Sequence, residues 1–160
     1  MPAPLTNEDF MREAIRLSRD GARSGRGGPF GCVVVREGRV VGRGSNRVTS
    51  TCDPTAHAEI VAIREACQAL ATFQLPDCTL YASCEPCPMC LSAIYWARIP
   101  TVYYGNTRQD AADIGFDDDF IYEQIPLPPG ERRVSMQPLL HGEARAAFSE
   151  WAKKPDKLRY

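Results

Sequence analysis

The sequence lacks any run of about 18 consecutive apolar residues, the length that a membrane-spanning helix requires. Residues 1–9 contain neither the cationic start nor the apolar stretch of a secretory leader. These two absences predict a protein that is neither exported nor inserted in a membrane.

A large charge of one sign is also missing. The 160 residues carry 19 Lys and Arg against 20 Asp and Glu, so the formal net charge is -1. Such a balance provides no general field for holding a nucleic-acid backbone. The chain is locally basic at its end, at Lys153, Lys154, Lys157 and Arg159. The overall charge counts against a nucleic-acid partner and favours a small or neutral one.

A disulfide framework is not expected, because the seven cysteines are an odd number in a chain without a predicted leader. Free thiols suit a reducing compartment, so we predict a cytoplasmic protein. Free cysteines are commonly buried as small apolar residues. Four have no partner at ligand spacing and are given no role: Cys32, Cys52, Cys67 and Cys78.

One α/β domain is expected over residues 1–160, since a chain of this size buries roughly 70% of its unfolded surface. Apolar periodicity, caps and turn residues predict its elements. In chain order they are a helix over 7–21, a glycine-rich loop over 24–31, a hairpin over 32–36 and 39–43, a helix opening at Asp53 and Pro54, a strand over 79–82, a helix over 86–97, a strand over 101–104, and helices over 117–123 and 143–152. This alternation favours a layered sheet with parallel pairs.

What the sequence does contain is one histidine, one glutamate and two cysteines at metal-ligand spacing: His57, Glu59, Cys87 and Cys90. Three protein ligands leave a coordination position for water, and a nearby carboxylate can move its protons, which is typical of catalytic zinc. The same pattern, His-x-Glu followed by Pro-Cys-x-x-Cys, marks the zinc-dependent nucleobase deaminases. We predict zinc held by His57, Cys87 and Cys90, with Glu59 as the base.

Cys84 leaves a second arrangement open, because Cys84 and Cys87 also form a Cys-x-x-Cys pair. We prefer Cys87 and Cys90, which are placed to share one helix face near a helix N-terminus that favours thiolates. Cys84 is then a small residue that ends a strand. The second histidine, His141, lies in a predicted loop without cysteines nearby and is interpreted as a structural residue.

The predicted helix at Asp53 creates a geometric difficulty for this site. Positions two apart on an α-helix point in different directions, so His57 and Glu59 cannot share a helix face. Both reach one water only if it lies over the N-terminal end of the helix. Two thiolates cancel the charge of zinc, so a separate base is needed to move protons, and Glu59 is placed for that work.

Over nearly its whole length the sequence resembles bacterial guanine deaminases of the cytidine deaminase superfamily. The resemblance is carried by residues 27–31, Asn46, 53–59, 83–90, 95–98, 111–120 and Tyr160. The metal-binding half looks the same in tRNA adenosine deaminases, so the later segments make the distinction. The resemblance implies a three-layer α/β/α fold with a central mixed sheet and helices on both faces. It also implies hydrolysis of guanine to xanthine and ammonia.

The resemblance further implies that Asp118 and Tyr160 contact the purine. Residues 125–160 would complete the pocket, and they follow a connection in which three of six residues are proline, a stiff hinge. We therefore expect a homodimer in which this segment crosses to the partner subunit.

The substrate-binding residues can also be interpreted from their chemistry. The carboxylate of Asp118 matches N–H donors of guanine, the amide of Asn46 matches its acceptors, and Phe30 can stack on its ring. Taken alone, residues 117–119 would be helix-capping acids, and Asn46 a turn residue. Phe30 would be a core aromatic and Tyr160 a frayed end.

Three other functions stay open. The same chemistry on guanosine or another aminated base needs a pocket with room for a ribose. A tRNA adenosine deaminase needs a basic path for RNA, against which the charge balance counts. A zinc module without activity, or a redox dithiol formed by Cys84 and Cys87, would show a different metal content.

Overall fold

The computed structural model of the protein describes residues 4–160, which form two compact units, one ending at Asp118 and the other spanning Asp119–Tyr160. The first unit contains α1 (Asn7–Arg23), β1 (Gly31–Arg36), β2 (Arg39–Ser45), α2 (Val48–Thr51), α3 (Ala58–Leu70), β3 (Cys78–Cys84), α4 (Pro88–Trp96), β4 (Thr101–Asn106) and α5 (Arg108–Asp113). The second contains α6 (Asp119–Gln124), a 3₁₀ turn (Pro129–Glu131) and α7 (His141–Lys153). Every predicted helix and strand is present, and α2 and α5 are additional.

Helix α1 begins at a complete capping box. The side chain of Thr6 accepts the backbone N–H of Asp9, and the Asp9 carboxylate accepts the backbone N–H of Thr6 at 2.9 Å. Two orphan donors of the first turn are thereby satisfied. The face that carries Phe10 and Ala14 is buried against the sheet.

The predicted hairpin is confirmed. Strands β1 and β2 pair antiparallel and are joined by Glu37 and Gly38, with φ of 50° and 72°. Positive φ at both central residues is the two-residue turn whose twist matches that of the flanking strands. Both strands are longer than predicted, and β2 reaches Ser45, next to Asn46.

The sheet is mixed, with strand order β2-β1-β3-β4. The β1–β3 pair is antiparallel, and only β3–β4 is parallel. The expectation of parallel pairs from strand–helix alternation therefore holds for one pair, because β3 pairs with β1 instead of β2. Strands β2 and β3 both run antiparallel to β1, so they point in the same direction on either side of it.

Alternate residues of β1 face opposite sides of the sheet, as strand geometry requires. Cys32 and Val34 belong to the cluster that also contains buried residues of α3 and α4. Val33 and Val35 belong to the cluster on the other side, with residues of α1. Helices therefore cover both faces, which confirms the predicted three-layer α/β/α architecture.

Two helix starts lie at the same edge of the sheet. Helix α3 follows β2 and helix α4 follows β3, and these two strands run in the same direction. Their carboxyl ends consequently share one edge, where ligands bind in layered α/β folds.

The second unit is built differently. Within Asp119–Tyr160, which the structure describes in full, no residue is buried. Large apolar side chains such as Leu139 and Phe148 are exposed.

In the described part of the chain, none of the helices combines the length and the apolar character needed to cross a membrane.

Candidate metal centre and substrate cavity

Helix α3 begins at Ala58, with His57 as its N-cap in extended conformation (φ -68°, ψ 156°). The prediction that this helix opens at Asp53 and Pro54 is therefore wrong. Asp53 caps a turn instead, because its side chain accepts the backbone N–H of Thr55 at 2.8 Å. An aspartate that bonds the backbone two residues on forms a local turn that competes with a helix.

Helix α4 begins at Pro88, two residues later than predicted, and Cys87 is its N-cap (φ -65°, ψ 169°). The residue before a proline is pushed out of the helical region, so Cys87 cannot belong to the helix itself. Cys90 lies in the first turn and is buried. His57 and Cys87 are thus equivalent positions at two helix N-termini.

The donor atoms of His57, Cys87 and Cys90 converge. Nδ1 of His57 lies 3.5 Å from Sγ of Cys87 and 3.6 Å from Sγ of Cys90, and all three atoms lie within 4.8 Å of one another. A tetrahedral zinc ion would separate a nitrogen and a sulfur ligand by roughly 3.6 Å, given typical Zn–N and Zn–S bond lengths. One imidazole and two thiolates are also the ligand chemistry that zinc prefers. The cluster fits zinc.

The three groups influence each other's protonation. The pKa of Cys87 is lowered to about 4, first by the neighbouring Cys90 and also by hydrogen bonding with His57. The pKa of Cys90 is raised, first by the neighbouring Cys87 and then by burial. The pKa of His57 is raised, chiefly by Cys87. The protonation of the three groups is therefore coupled, and a bound metal ion would require both sulfurs as thiolates and the imidazole as its neutral form.

Glu59 lies beside this cluster. It is 7% exposed, and its Oε2 accepts the thiol of Cys90 at 3.4 Å. Burial raises the pKa of its carboxyl, which makes it a better proton acceptor than a solvated glutamate. The geometric difficulty disappears because His57 precedes the helix, so both side chains reach the region over its N-terminal end.

Cys84 is the last residue of β3, as predicted, and it is not part of the cluster. Its thiol donates to the carbonyl of Thr107 at 3.6 Å. Burial raises the pKa of this thiol to about 11. A protonated, hydrogen-bonded thiol is a poor ligand and a poor nucleophile, so the geometry does not favour a dithiol of Cys84 and Cys87.

A cavity of about 470 Å³ opens beside His57, Glu59 and Cys87. Three of the four predicted substrate-binding residues line it: Phe30, Asn46 and Asp118. The Asp118 carboxylate is near enough to His57 to contribute to the raised pKa of the imidazole. The structure therefore brings the candidate ligands, the candidate base and these three side chains around one cavity.

The orientation of Asn46 is fixed by the backbone. Its Oδ1 accepts the N–H of Gly28 at 3.3 Å and that of Val48 at 3.2 Å. The described residues provide no acceptor for its Nδ2. Asn46 is thus both a turn residue and an oriented donor at the cavity wall, which suits an acceptor atom of a ligand.

Phe30 contacts a second aromatic ring that carried no predicted role. Its ring centroid lies 4.9 Å from that of Phe116, at an interplanar angle of 88°. Glu85 and Arg108 also line the cavity without having been predicted to do so. The carboxylate of Glu85 accepts the backbone N–H of Arg108 at 3.0 Å. Glu85 could have been predicted to line the cavity because it lies between Cys84 and Cys87. Nothing in the sequence around Arg108 indicated that it does.

The remaining predicted residue, Tyr160, belongs to the second unit and is 72% exposed. Its contact with substrate stays a prediction. His141 is the first residue of α7 instead of a loop residue. It is exposed and far along the chain from the two cysteines.

Comparison with known proteins agrees with this geometry. Residues 5–106 match the family described as cytidine and deoxycytidylate deaminase zinc-binding region. A guanine deaminase of Bacillus subtilis (strain 168) is 47% identical over 98% of this chain and the full length of that protein. The X-ray structure of guanine deaminase from Bacillus subtilis has a TM-score of 0.95, covering 98% of this chain and 99% of that one.

Other relatives carry different names. A tRNA-specific adenosine deaminase of Aquifex aeolicus is 40% identical over 94% of this chain and 96% of its own length. A solved guanine deaminase from Nitrosomonas europaea is 28% identical, with a TM-score of 0.68, over 91% of this chain and 76% of that one. The family match and the converging histidine and cysteines lead to one conclusion: the chain belongs to the cytidine and deoxycytidylate deaminase family of zinc-binding deaminases.

Proposed function

We propose that this protein hydrolyses guanine to xanthine and ammonia. The observation that carries the proposal is that His57 and Cys87, two members of the metal-ligand cluster with Cys90, line the same cavity as Glu59. The identity shared with the Bacillus subtilis guanine deaminase over 98% of the chain supports guanine as the substrate.

In this mechanism His57, Cys87 and Cys90 would hold zinc, which when bound would lower the pKa of a coordinated water molecule. Glu59 carries the protons. Its carboxylate takes one proton from the attacking water and delivers it to a ring nitrogen next to C2. The second proton of the water goes through Glu59 to the amino group, whose bond to C2 breaks to release ammonia. The buried position of Glu59 next to the ligand Cys90 supports this role.

The cavity walls suit the edges of guanine. The Nδ2 group of Asn46 donates to O6 or N7, and the carboxylate of Asp118 accepts N–H groups of the pyrimidine edge. Phe30 offers an apolar ring surface to the flat base. These roles are supported by the fixed orientation of Asn46 and by the position of all three side chains on the cavity wall.

The decisive experiment is Glu59→Gln, measured as ammonia released from guanine by zinc-loaded protein. The amide keeps the shape but carries no proton, so we expect unchanged zinc content and a rate at least about a hundredfold lower. Glu65→Gln, an exposed carboxylate on the same helix, is the matched control and should keep the parent rate. A zinc-loaded Glu59→Gln variant with near-parent activity would refute the role.

The second candidate is deamination of adenosine in tRNA, favoured by the identity with the Aquifex aeolicus enzyme. The net charge of -1 counts against an RNA-binding surface. A substrate panel separates the candidates: guanine, guanosine, adenine, cytosine, cytidine and a tRNA anticodon arm. Deamination of the anticodon arm without release of ammonia from guanine would replace the proposal. Equal rates on guanine and guanosine would extend it to nucleosides.

We further propose that the protein is a cytoplasmic, single-domain homodimer in which residues 125–160 complete the cavity of the partner subunit and bring Tyr160 to the base. The support is a unit, Asp119–Tyr160, that buries none of its own side chains. Light scattering should give twice the chain mass, and deletion of Tyr160 should lower the guanine rate without loss of zinc. A monomer at working concentration would refute the dimer.

A further inference from the structure

Two glycines of β2 lie in direct contact with the backbone of α3. A Cβ on Gly44 would lie 2.0 Å from the carbonyl oxygen of Ala58 and 2.8 Å from the nitrogen of Ala62. A Cβ on Gly42 would lie 2.2 Å from the carbonyl oxygen of Ala62 and 2.8 Å from the nitrogen of Ala66. Each glycine therefore faces one i to i+4 hydrogen bond of the helix, and the two sites are one helical turn apart.

The two contacts lie at different distances from the metal site. Ala58, opposite Gly44, stands between His57 and Glu59 in the chain, whereas Ala62 and Ala66, opposite Gly42, lie further along the helix. Cys87 and Cys90 belong to a different helix, α4. The separation of His57 from the two sulfurs therefore depends on where the first turn of α3 rests on the sheet.

We infer that Gly44 is a positioning residue for the metal centre: the absence of its side chain lets the first turn of α3 rest on β2 at the depth that brings His57 to Cys87 and Cys90. A Cβ essentially never lies within 3.0 Å of another heavy atom, so a methyl group at Gly44 requires the distance to the Ala58 carbonyl oxygen to grow from 2.0 Å to at least 3.0 Å by a shift of α3 against β2. Metal ligands must be held to within about 0.5 Å of their productive positions. A displacement of this size removes His57 from the cluster.

The test compares Gly44→Ala with Gly42→Ala. The methyl at Gly42 meets the same type of atom at nearly the same distance, so the two variants place similar strain on the helix and differ in its position. We expect zinc affinity to fall roughly ten- to hundredfold in Gly44→Ala, the range seen when groups that orient metal ligands are changed. In Gly42→Ala it should stay within about threefold of the parent. The affinity is measured by competition with a chelator.

A spectroscopic readout separates positioning from general destabilisation. Cobalt in place of zinc gives visible bands that report the geometry of a histidine–dithiolate site. These bands should change in Gly44→Ala and match those of the parent in Gly42→Ala. Parent zinc affinity and a parent cobalt spectrum in Gly44→Ala would overturn the inference, and so would equal losses in the two variants.

Poor folding of Gly44→Ala still gives an answer. Both variants are then unfolded and refolded with and without excess zinc, because a ligand that binds only the folded state stabilises it. Zinc should raise the folded yield of Gly42→Ala and fail to raise that of Gly44→Ala; equal recovery by zinc would overturn the inference. The inference rests on the metal site of the proposed function, but its readouts involve no substrate. If guanine proves not to be the substrate, the role of Gly44 in the metal site can still be tested.

Discussion

His57 acts at the residue scale as both a candidate ligand and a helix cap. Its extended backbone conformation ends the preceding turn and places its imidazole outside α3, while Glu59 lies inside the first turn. A ligand within the helix would have pointed away from Glu59. Cys87 caps α4 in the same way. Each helix therefore contributes one ligand from its cap and one buried group from its first turn, which is Glu59 in α3 and Cys90 in α4.

A pair of cysteine substitutions tests the ligand assignment. Cys90→Ala should lose both zinc and activity, because two remaining ligands hold the metal weakly. Cys84→Ala should keep one zinc per chain, since the Cys84 thiol is bonded to Thr107 and lies outside the cluster. Metal content by elemental analysis of purified protein is the measurement. Loss of zinc from Cys84→Ala alone would show that the ligand set is wrong.

The Asp118 carboxylate can be tested against a neighbour that does not line the cavity. Asp118→Ala should keep zinc and lower kcat/KM for guanine by about tenfold or more, because buried N–H groups of the base would lose their acceptor. Asp113→Ala is the control, as its carboxylate accepts Gln109 on the same segment. Equal kinetics of the two variants would mean that Asp118 does not contact the substrate.

Helix α1 offers a prediction at the scale of the element, remote from the metal. Thr6→Ala removes the side-chain half of the capping box and should lower the free energy of unfolding by about 1 kcal/mol. Thr6→Ser keeps the hydroxyl and should stay within a few tenths of a kcal/mol of the parent. Urea unfolding measures both. Zinc content should be unchanged, and a loss of zinc in Thr6→Ala would contradict a purely local role.

The same box gives a pH dependence. The pKa of Asp9 is lowered from its ordinary 3.8, first by the backbone N–H of Thr6 and then by its hydroxyl. A lowered carboxyl pKa stabilises the fold above the ordinary value, and this contribution is lost as the pH falls through the lowered one. The difference between parent and Thr6→Ala should therefore shrink in acid. A difference that grows below pH 3.8 would contradict this assignment.

Element boundaries show what the sequence could and could not predict. The hairpin and α1 were predictable because turn and cap residues coincide with the apolar period. The start of α3 was not, since Asp53 can cap a turn or a helix and only the tertiary contacts decide. Helix α5 escaped notice although Thr107 and Asp110 form the same capping box as in α1, because so short a helix has no apolar period.

The whole molecule depends on pairings that lie far apart in the chain. Cys32 faces Ala82 across the β1–β3 pair, and no local pattern specifies that β3 selects β1 over β2. The apolar periodicity predicted the strands, whereas the mixed sheet was predicted only by the resemblance to a family. The metal cluster could be predicted from local patterns, although spacing alone left Cys84 open and the expected helix start was needed to prefer Cys90. The cavity could not, since Glu85 and Arg108 reach it through the fold.

The division into two units gives each of them its own fluorophore. The chain has two tryptophans, and Trp96 lies in the unit that ends at Asp118 while Trp151 lies in Asp119–Tyr160. Replacing either by phenylalanine leaves an emission signal from one unit only. Because Asp119–Tyr160 buries no side chain of its own, we expect it to have no independent transition, and the two denaturation curves should superimpose. An earlier midpoint for the Trp151 signal would mean that the chain melts in two steps and contains two cooperative units.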